Sequence, residues 1–87
     1  MSGAYRVLVE PRAAKHLARL DRVIRRRVAA AIEALSADPR PAGCVALKGM
    51  PGVLRVRVGD YRIVYNVGDA ERVLLIIDID HRRDIYR

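Results

Sequence analysis

The segment Asp80-His81-Arg82-Arg83-Asp84-Ile85-Tyr86-Arg87 places one imidazole, three guanidiniums and one phenol behind an apolar run. Such groups bind a phosphodiester and move protons around it. Arginine grips phosphate with a planar fork, histidine titrates near neutrality, and a phenol joins in proton transfer once nearby positive charge lowers its pKa. Three more arginines, Arg55, Arg57 and Arg62, flank Gly59-Asp60, a two-residue hairpin signal with glycine first, as a type II′ turn requires. That turn sets a register in which Val58 faces Tyr61, Arg57 faces Arg62, Val56 faces Ile63 and Arg55 faces Val64. Side chains two apart share a face, so the three arginines project together while Leu54, Val56, Val58, Tyr61, Ile63 and Tyr65 fill the other side. Like charges set directly opposite each other are destabilising. Neither strand holds a carboxylate to interleave, and the pattern predicts an anion site.

RNA is the polyanion whose cleavage these groups fit. The ribose 2′-OH is the nucleophile, so the protein must supply a base for that hydroxyl, positive charge for the phosphorane oxygens and an acid for the departing 5′ oxygen. His81 is poised for proton transfer and Tyr86 is the second candidate; the residues leave open which is the base. The arginines stabilise the developing negative charge.

The elements that must position these groups follow from periodicity. Residues Tyr5 to Glu10 read as a strand. Pro11 suits the first turn of a helix marked by Ala13, Ala14, Leu17 and Leu20. Asp21 caps a longer helix with Ile24, Val28, Ala31, Ile32 and Leu35 on its buried stripe, stopped by Asp38-Pro39 and Pro41. Pro39 to Gly52 reads as a loop in which Val45-Ala46-Leu47 lies against the core. The period then changes to two: Leu54 to Val58, Tyr61 to Val67, and a nearly continuous apolar strand from Arg72 to Ile79, central in the sheet. The expected fold class is α+β: an N-terminal strand, a helical hairpin, then a three-strand antiparallel meander and a short C-terminal tail, with both helices on one sheet face.

The 87 residues read as a single domain, 1–87. Seventeen Lys+Arg against ten Asp+Glu give +7, and only Lys15 and Lys48 are lysines. This balance favours a polyanionic partner, nucleic acid before an acidic protein. Lys15, Arg19, Arg22 and Arg26 form a basic helical stripe, read first as a solvated face. Cys44 is the sole cysteine, which rules out an internal disulfide and fits a reducing compartment. One cysteine and two histidines distant in sequence, His16 and His81, make no zinc site, and the arginine face has no carboxylate cluster for magnesium. No metal and no cofactor are expected. The N-terminus lacks an apolar signal core, and Val73 to Ile77 is too short to span a bilayer, so the expected location is the cytoplasm, with no membrane partner.

Four blocks resemble the RelE-type toxins of the RelE/ParE toxin–antitoxin superfamily: Leu47-Lys48-Gly49-Met50-Pro51, Leu54-Arg55-Val56-Arg57-Val58, Gly59-Asp60-Tyr61-Arg62-Ile63-Val64-Tyr65 and Ile79-Asp80-His81-Arg82-Arg83-Asp84-Ile85-Tyr86. The resemblance implies an endoribonuclease that cuts mRNA in the ribosomal A site, a type II toxin held inactive by a cognate antitoxin. The missing carboxylate cluster makes the expected reaction metal-independent. The +7 charge with an open arginine face makes the expected antitoxin acidic, partly disordered and wrapped around the toxin. Operator DNA would be reached only through that antitoxin. By motif position the paired basic residues are Arg55 and Arg57, the hairpin arginine is Arg62, the tail arginine is Arg82 or Arg83 and the terminal tyrosine is Tyr86. With His81 added from its own chemistry, the expected catalytic residues are Arg62, His81, Arg82 and Tyr86. The expected RNA- and phosphate-binding residues are Arg55, Arg57, Lys48 and Arg83. Arginine at positions 55 and 57 departs from the lysines common in ribosome-dependent members. The alternative within the superfamily is a ParE-type toxin that binds and inhibits DNA gyrase without being a nuclease.

Overall fold

Pro11 opens the first helix because the N–H it lacks would have no helical acceptor there. The computed structural model describes residues 4–81, which leaves Arg82, Arg83 and Tyr86 outside the described residues. The chain runs β1 (Arg6–Val9), α1 (Pro11–Ala18), α2 (Arg22–Ala37), β2 (Val45–Ala46), β3 (Val53–Val58), β4 (Tyr61–Gly68) and β5 (Val73–His81). Asp21 caps α2 by accepting from the Val23 N–H at 3.2 Å. The expected stripe is the one α2 buries, with Val28, Ile32 and Leu35 at its centre and Ile24 and Ala31 beside them.

The strands form one sheet in the order β1-β5-β4-β3-β2. β3, β4 and β5 are the antiparallel meander, and β1 joins its far edge parallel to β5. The core lies between the helices and one sheet face, where Ala13, Val28, Ile32 and Leu35 meet Ile63, Tyr65, Leu74, Ile76 and Ile79. Gly59 has φ +61 while Asp60 stays out of the left-handed region, as a type II′ turn requires. The β3–β4 register is the one the turn dictates, including Arg57 opposite Arg62.

Three features differ from the sequence expectation. Val45 and Ala46 do not lie against the core. They form a short, exposed edge strand paired with Arg55 and Leu54 of β3. Arg72 belongs to the β4–β5 turn, with φ +56, and β5 begins one residue later. That strand also continues past Ile79, so Asp80 and His81 are strand residues opposite Arg62 and Tyr61 rather than the start of a tail.

A β-bulge gives β5 its functional geometry. Val64 pairs with Asp78 while Tyr65 pairs with Ile76, so Ile77 is the extra residue. Before the bulge Leu74 and Ile76 face the core; after it Ile79 does. Without the bulge, strict alternation would drive Asp78 and Asp80 into the core.

Tyr65 is fully buried and its hydroxyl donates to the Pro39 carbonyl at 2.8 Å, which fixes the start of the α2–β2 loop. Burial pushes this phenol well above the usual tyrosine range, so it remains a donor. Tyr65→Phe should lower unfolding free energy by about 1 kcal/mol, because the ring stays packed while the carbonyl loses its partner; urea titration reads this out. Exposed Asp69 clamps the sheet end, accepting from Tyr5 Oη at 2.7 Å and from Arg40 Nη1 and Nη2 at 3.2 and 2.9 Å.

Candidate RNA-binding cleft

The arginine face builds a cleft. Arg55, Arg57 and Arg62 line a cavity of about 280 Å³, walled on the β2 side by Gly43 and Val45. The loop that Tyr65 anchors through Pro39 leads into this wall. The three guanidinium-bearing residues differ in depth. Arg57 is exposed, Arg55 is half-buried, and Arg62 is only 2% exposed. A guanidinium that deep is positioned by its surroundings and not by solvent, and its charge is screened far less than that of a surface arginine. The outer two lie where a flexible polyanion would meet them first. Lys48 is exposed in the turn between β2 and β3.

Beside this cleft the open sheet face continues into a cavity of about 320 Å³ lined by Leu47, Met50, Arg55, Val64, Ile77, Asp78 and Asp80. The sequence expectation considered β3 and β4 alone, where no carboxylate interleaves with the arginines. The third strand supplies two. Asp80 stands opposite Arg62 in the β4–β5 ladder, and Asp78 stands opposite Val64.

His81 takes the other side of the strand. It pairs with Tyr61, their rings meeting edge-on with centroids 5.0 Å apart. Both line a cavity of about 220 Å³ with His16, Arg19, Leu20, Ile79 and Asp80. The described structure therefore brings Arg55, Arg57 and Arg62 together, and places His81 on the helix side of the sheet next to the chain's other histidine.

His16 is the functional candidate that sequence reasoning missed. β1 ends at Val9, opposite Ile76, and the Glu10 N–H donates to the Ile76 carbonyl at 3.0 Å. Beyond that point α1 lies against β5. His16 Nδ1 lies 2.7 Å from Asp78 Oδ1, and Arg12 Nε lies 3.2 Å from Asp78 Oδ2. The Ile79 N–H also donates to Asp78 Oδ1, at 2.8 Å. An ionised carboxylate only accepts, so this contact selects the His16 tautomer with its proton on Nδ1. Asp78 is only 6% exposed, and these donors offset the cost of burying its charge.

Asp80 stands differently. Burial and the neighbouring Asp78 raise its pKa above the ordinary carboxylate value, while His16 and Arg12 pull it back down. His16 Nδ1 is 4.0 Å from Asp80 Oδ1. Donor atoms of His16, Asp78 and Asp80 all lie within 4.8 Å of one another. The Arg12 guanidinium at Asp78 makes a second cation there costly, and the chemistry this cluster suits best is holding and passing a proton.

Comparison with known proteins places the chain. Residues 7–86 match the family described as ParE toxin of type II toxin–antitoxin system, parDE. The chain belongs to this RelE/ParE toxin family. A curated relative, Toxin RelG of Mycobacterium tuberculosis, is 36% identical over 53 residues, a match that spans 61% of each chain. Among solved structures, the toxin-bearing chain of the archaeal RelE–RelB complex from Pyrococcus horikoshii OT3 superposes with a TM-score of 0.80. It is 28% identical, with 91% of this chain and 96% of that one covered. The intact E. coli RelBE toxin–antitoxin complex gives 0.79 at 27% identity, covering 90% and 96%. The fold of this RelE-type toxin is thus the α+β arrangement of those structures. No helix among its described residues is long and apolar enough to cross a membrane.

Proposed function

We propose that this toxin is a metal-independent endoribonuclease that cleaves mRNA, in the ribosomal A site, by attack of the ribose 2′-OH on the scissile phosphate. The observation that carries the reading is the single cleft lined by Arg55, Arg57 and Arg62. Three convergent guanidiniums at graded depth suit one phosphodiester and its flanking backbone. Arg55 and Arg57, with Lys48, hold the message, and Arg62 faces the phosphorane oxygens. The motif match assigns the remaining roles to Arg82 or Arg83 and to Tyr86, whereas His81, nominated from its chemistry, stands on the helix side of the sheet and outside this cleft. The likeness to chains solved in RelE–RelB complexes supports a cognate antitoxin for this one. A +7 domain with an open arginine face suits an acidic, partly disordered chain that wraps it, and operator DNA is contacted through that partner.

A second reading has its own support, because the matching family is named for ParE. On that reading the toxin binds DNA gyrase and cuts nothing. The two separate on induction without antitoxin. For the ribonuclease, growth stops and new message 5′ ends appear within translated frames in minutes, and purified toxin makes the same cuts on programmed ribosomes. Arrested growth with intact message and loss of plasmid supercoiling would establish the gyrase reading. Harmless accumulation of folded toxin would sink both.

A further inference from the structure

The sequence nominates His81 and Tyr86 for proton transfer, yet strand alternation turns His81 away from the arginines. Of the β5 side chains on their face, the one level with Arg62 is Asp80. It stands opposite Arg62 in the ladder, shares the 320 Å³ cavity with Arg55, and also lines the smaller cavity with both histidines. It therefore joins the phosphate-binding face to the proton-holding cluster. We propose that Asp80 is the general base of the cleft, a catalytic residue that takes the proton of the 2′-OH, and that His16, whose Nδ1 lies 4.0 Å from the Asp80 carboxylate, is its positioning residue. This rests on the ribonuclease reading above.

In the proposed step the Asp80 carboxylate removes the 2′-OH proton and the O2′–P bond forms. The P–O5′ bond breaks, and the departing oxygen takes a proton from an acid at the site, which solvent then reprotonates. The products are a 2′,3′-cyclic phosphate and a 5′-hydroxyl; protonated Asp80 then returns its proton to solvent. Nothing is oxidised or reduced, and no co-reactant is needed.

The charges around Asp80 make the reading testable by pH. From α1 it faces His16 and Arg12, from its own strand Asp78, from β4 Arg62 and from β3 Arg55. A base must be ionised to act, so the rate rises with pH through its pKa and then levels. Burial and Asp78 move that limb up in pH, and His16 and Arg12 move it down.

Single-turnover cleavage of message on programmed ribosomes, followed across pH, is the test. An uncleavable message with a 2′-deoxy nucleotide at the scissile position reports binding. Asp80→Asn should slow cleavage by about 10²- to 10⁴-fold and abolish the acid limb, while the deoxy message binds no more weakly, since the lost charge is one that repels phosphate. Asp80→Glu should retain part of the rate. His16→Gln should keep most of the plateau rate but shift the acid limb to higher pH, a movement that a merely structural contact would not produce.

Folding is controlled by a linkage of known sign. The pKa of Asp80 is raised in the fold, so its favourable contribution is complete below the ordinary carboxylate value and lost as pH rises through the folded value. Asp80→Asn should therefore melt no lower than wild type near neutrality. An Asn variant that cleaves like wild type with its acid limb intact overturns the proposal alone. A variant whose slower cleavage is matched by weaker binding of the deoxy message also overturns it. A wild type that cuts nothing sinks the ribonuclease reading and this inference together.

Discussion

Replacing Arg62 by glutamine is expected to reduce message cleavage by about 10²- to 10³-fold, the loss seen when one preorganised stabiliser of a developing oxyanion is removed. The argument begins with depth. At 2% exposure, the guanidinium presents a charge that bulk water neither reorients nor screens, unlike Arg57 at the cleft rim. Phosphorane formation concentrates negative charge on the equatorial oxygens, and a group already in place stabilises it without reorganising. Binding should change less than rate, because the ground-state diester carries its charge whether or not reaction proceeds. Arg62→Lys separates charge from shape: it keeps the positive charge and loses the planar fork, and an intermediate rate is expected. Mapped 5′ ends after induction, with purified single-turnover rates beside them, check this, and circular dichroism verifies that each variant folds. Wild-type cutting by Arg62→Gln would remove this residue from the site.

The rim arginines should act through affinity. If Arg55 and Arg57 each neutralise one message phosphate, replacing both by alanine should flatten the plot of log affinity against log salt by about 1.4, at about 0.7 per contact for a single strand. The loss in affinity should be uniform across message sequences, since phosphate contacts carry no base information. It should also shrink as salt rises, because the wild type releases more counterions on binding. The variant should fold normally: Arg57 is exposed, and removing it relieves the like-charge pairing with Arg62 across the β3–β4 ladder. Titration of the 2′-deoxy message over a salt series reads the slope. An unchanged slope would mean that the message runs elsewhere on the sheet.

How much of this could be read from the residues depended on what fixed each register. A two-residue turn leaves the β3–β4 pairing no freedom, so the Arg57–Arg62 pair was legible from Gly59-Asp60 alone. Helix α2 was equally plain, because its apolar stripe, Asp21 cap and terminal prolines all agree. The β4–β5 pairing was not legible. Leu74-Leu75-Ile76-Ile77 is apolar on both faces, so alternation carries no phase, and the bulge at Ile77 inverts whatever phase is assumed. That inversion decides that Asp80, and not His81, shares the arginine face. The partnership of His16 with Asp78 spans 62 residues, and nothing local announces it. The one available signal was the Asp78-x-Asp80 spacing: two carboxylates on one face of an otherwise apolar strand need compensating donors.

The parallel pairing of β1 with β5 bears on how the toxin comes into being. The first strand's only ladder partner among the described residues is the last strand, and Tyr5 reaches Asp69 across 64 residues of intervening chain. On the ribosome, therefore, β1 has no strand to pair with while both helices and the arginine hairpin emerge from the exit tunnel, although Tyr5 can already exchange hydrogen bonds with Ser36 at the end of α2. Only when β5 has cleared the tunnel can β1 dock, α1 settle against the new strand, and His16 meet its carboxylates. The sheet must be finished by a long-range closure that is slow by topology. A newly made molecule thus passes through an interval in which the hairpin exists and the closed sheet does not.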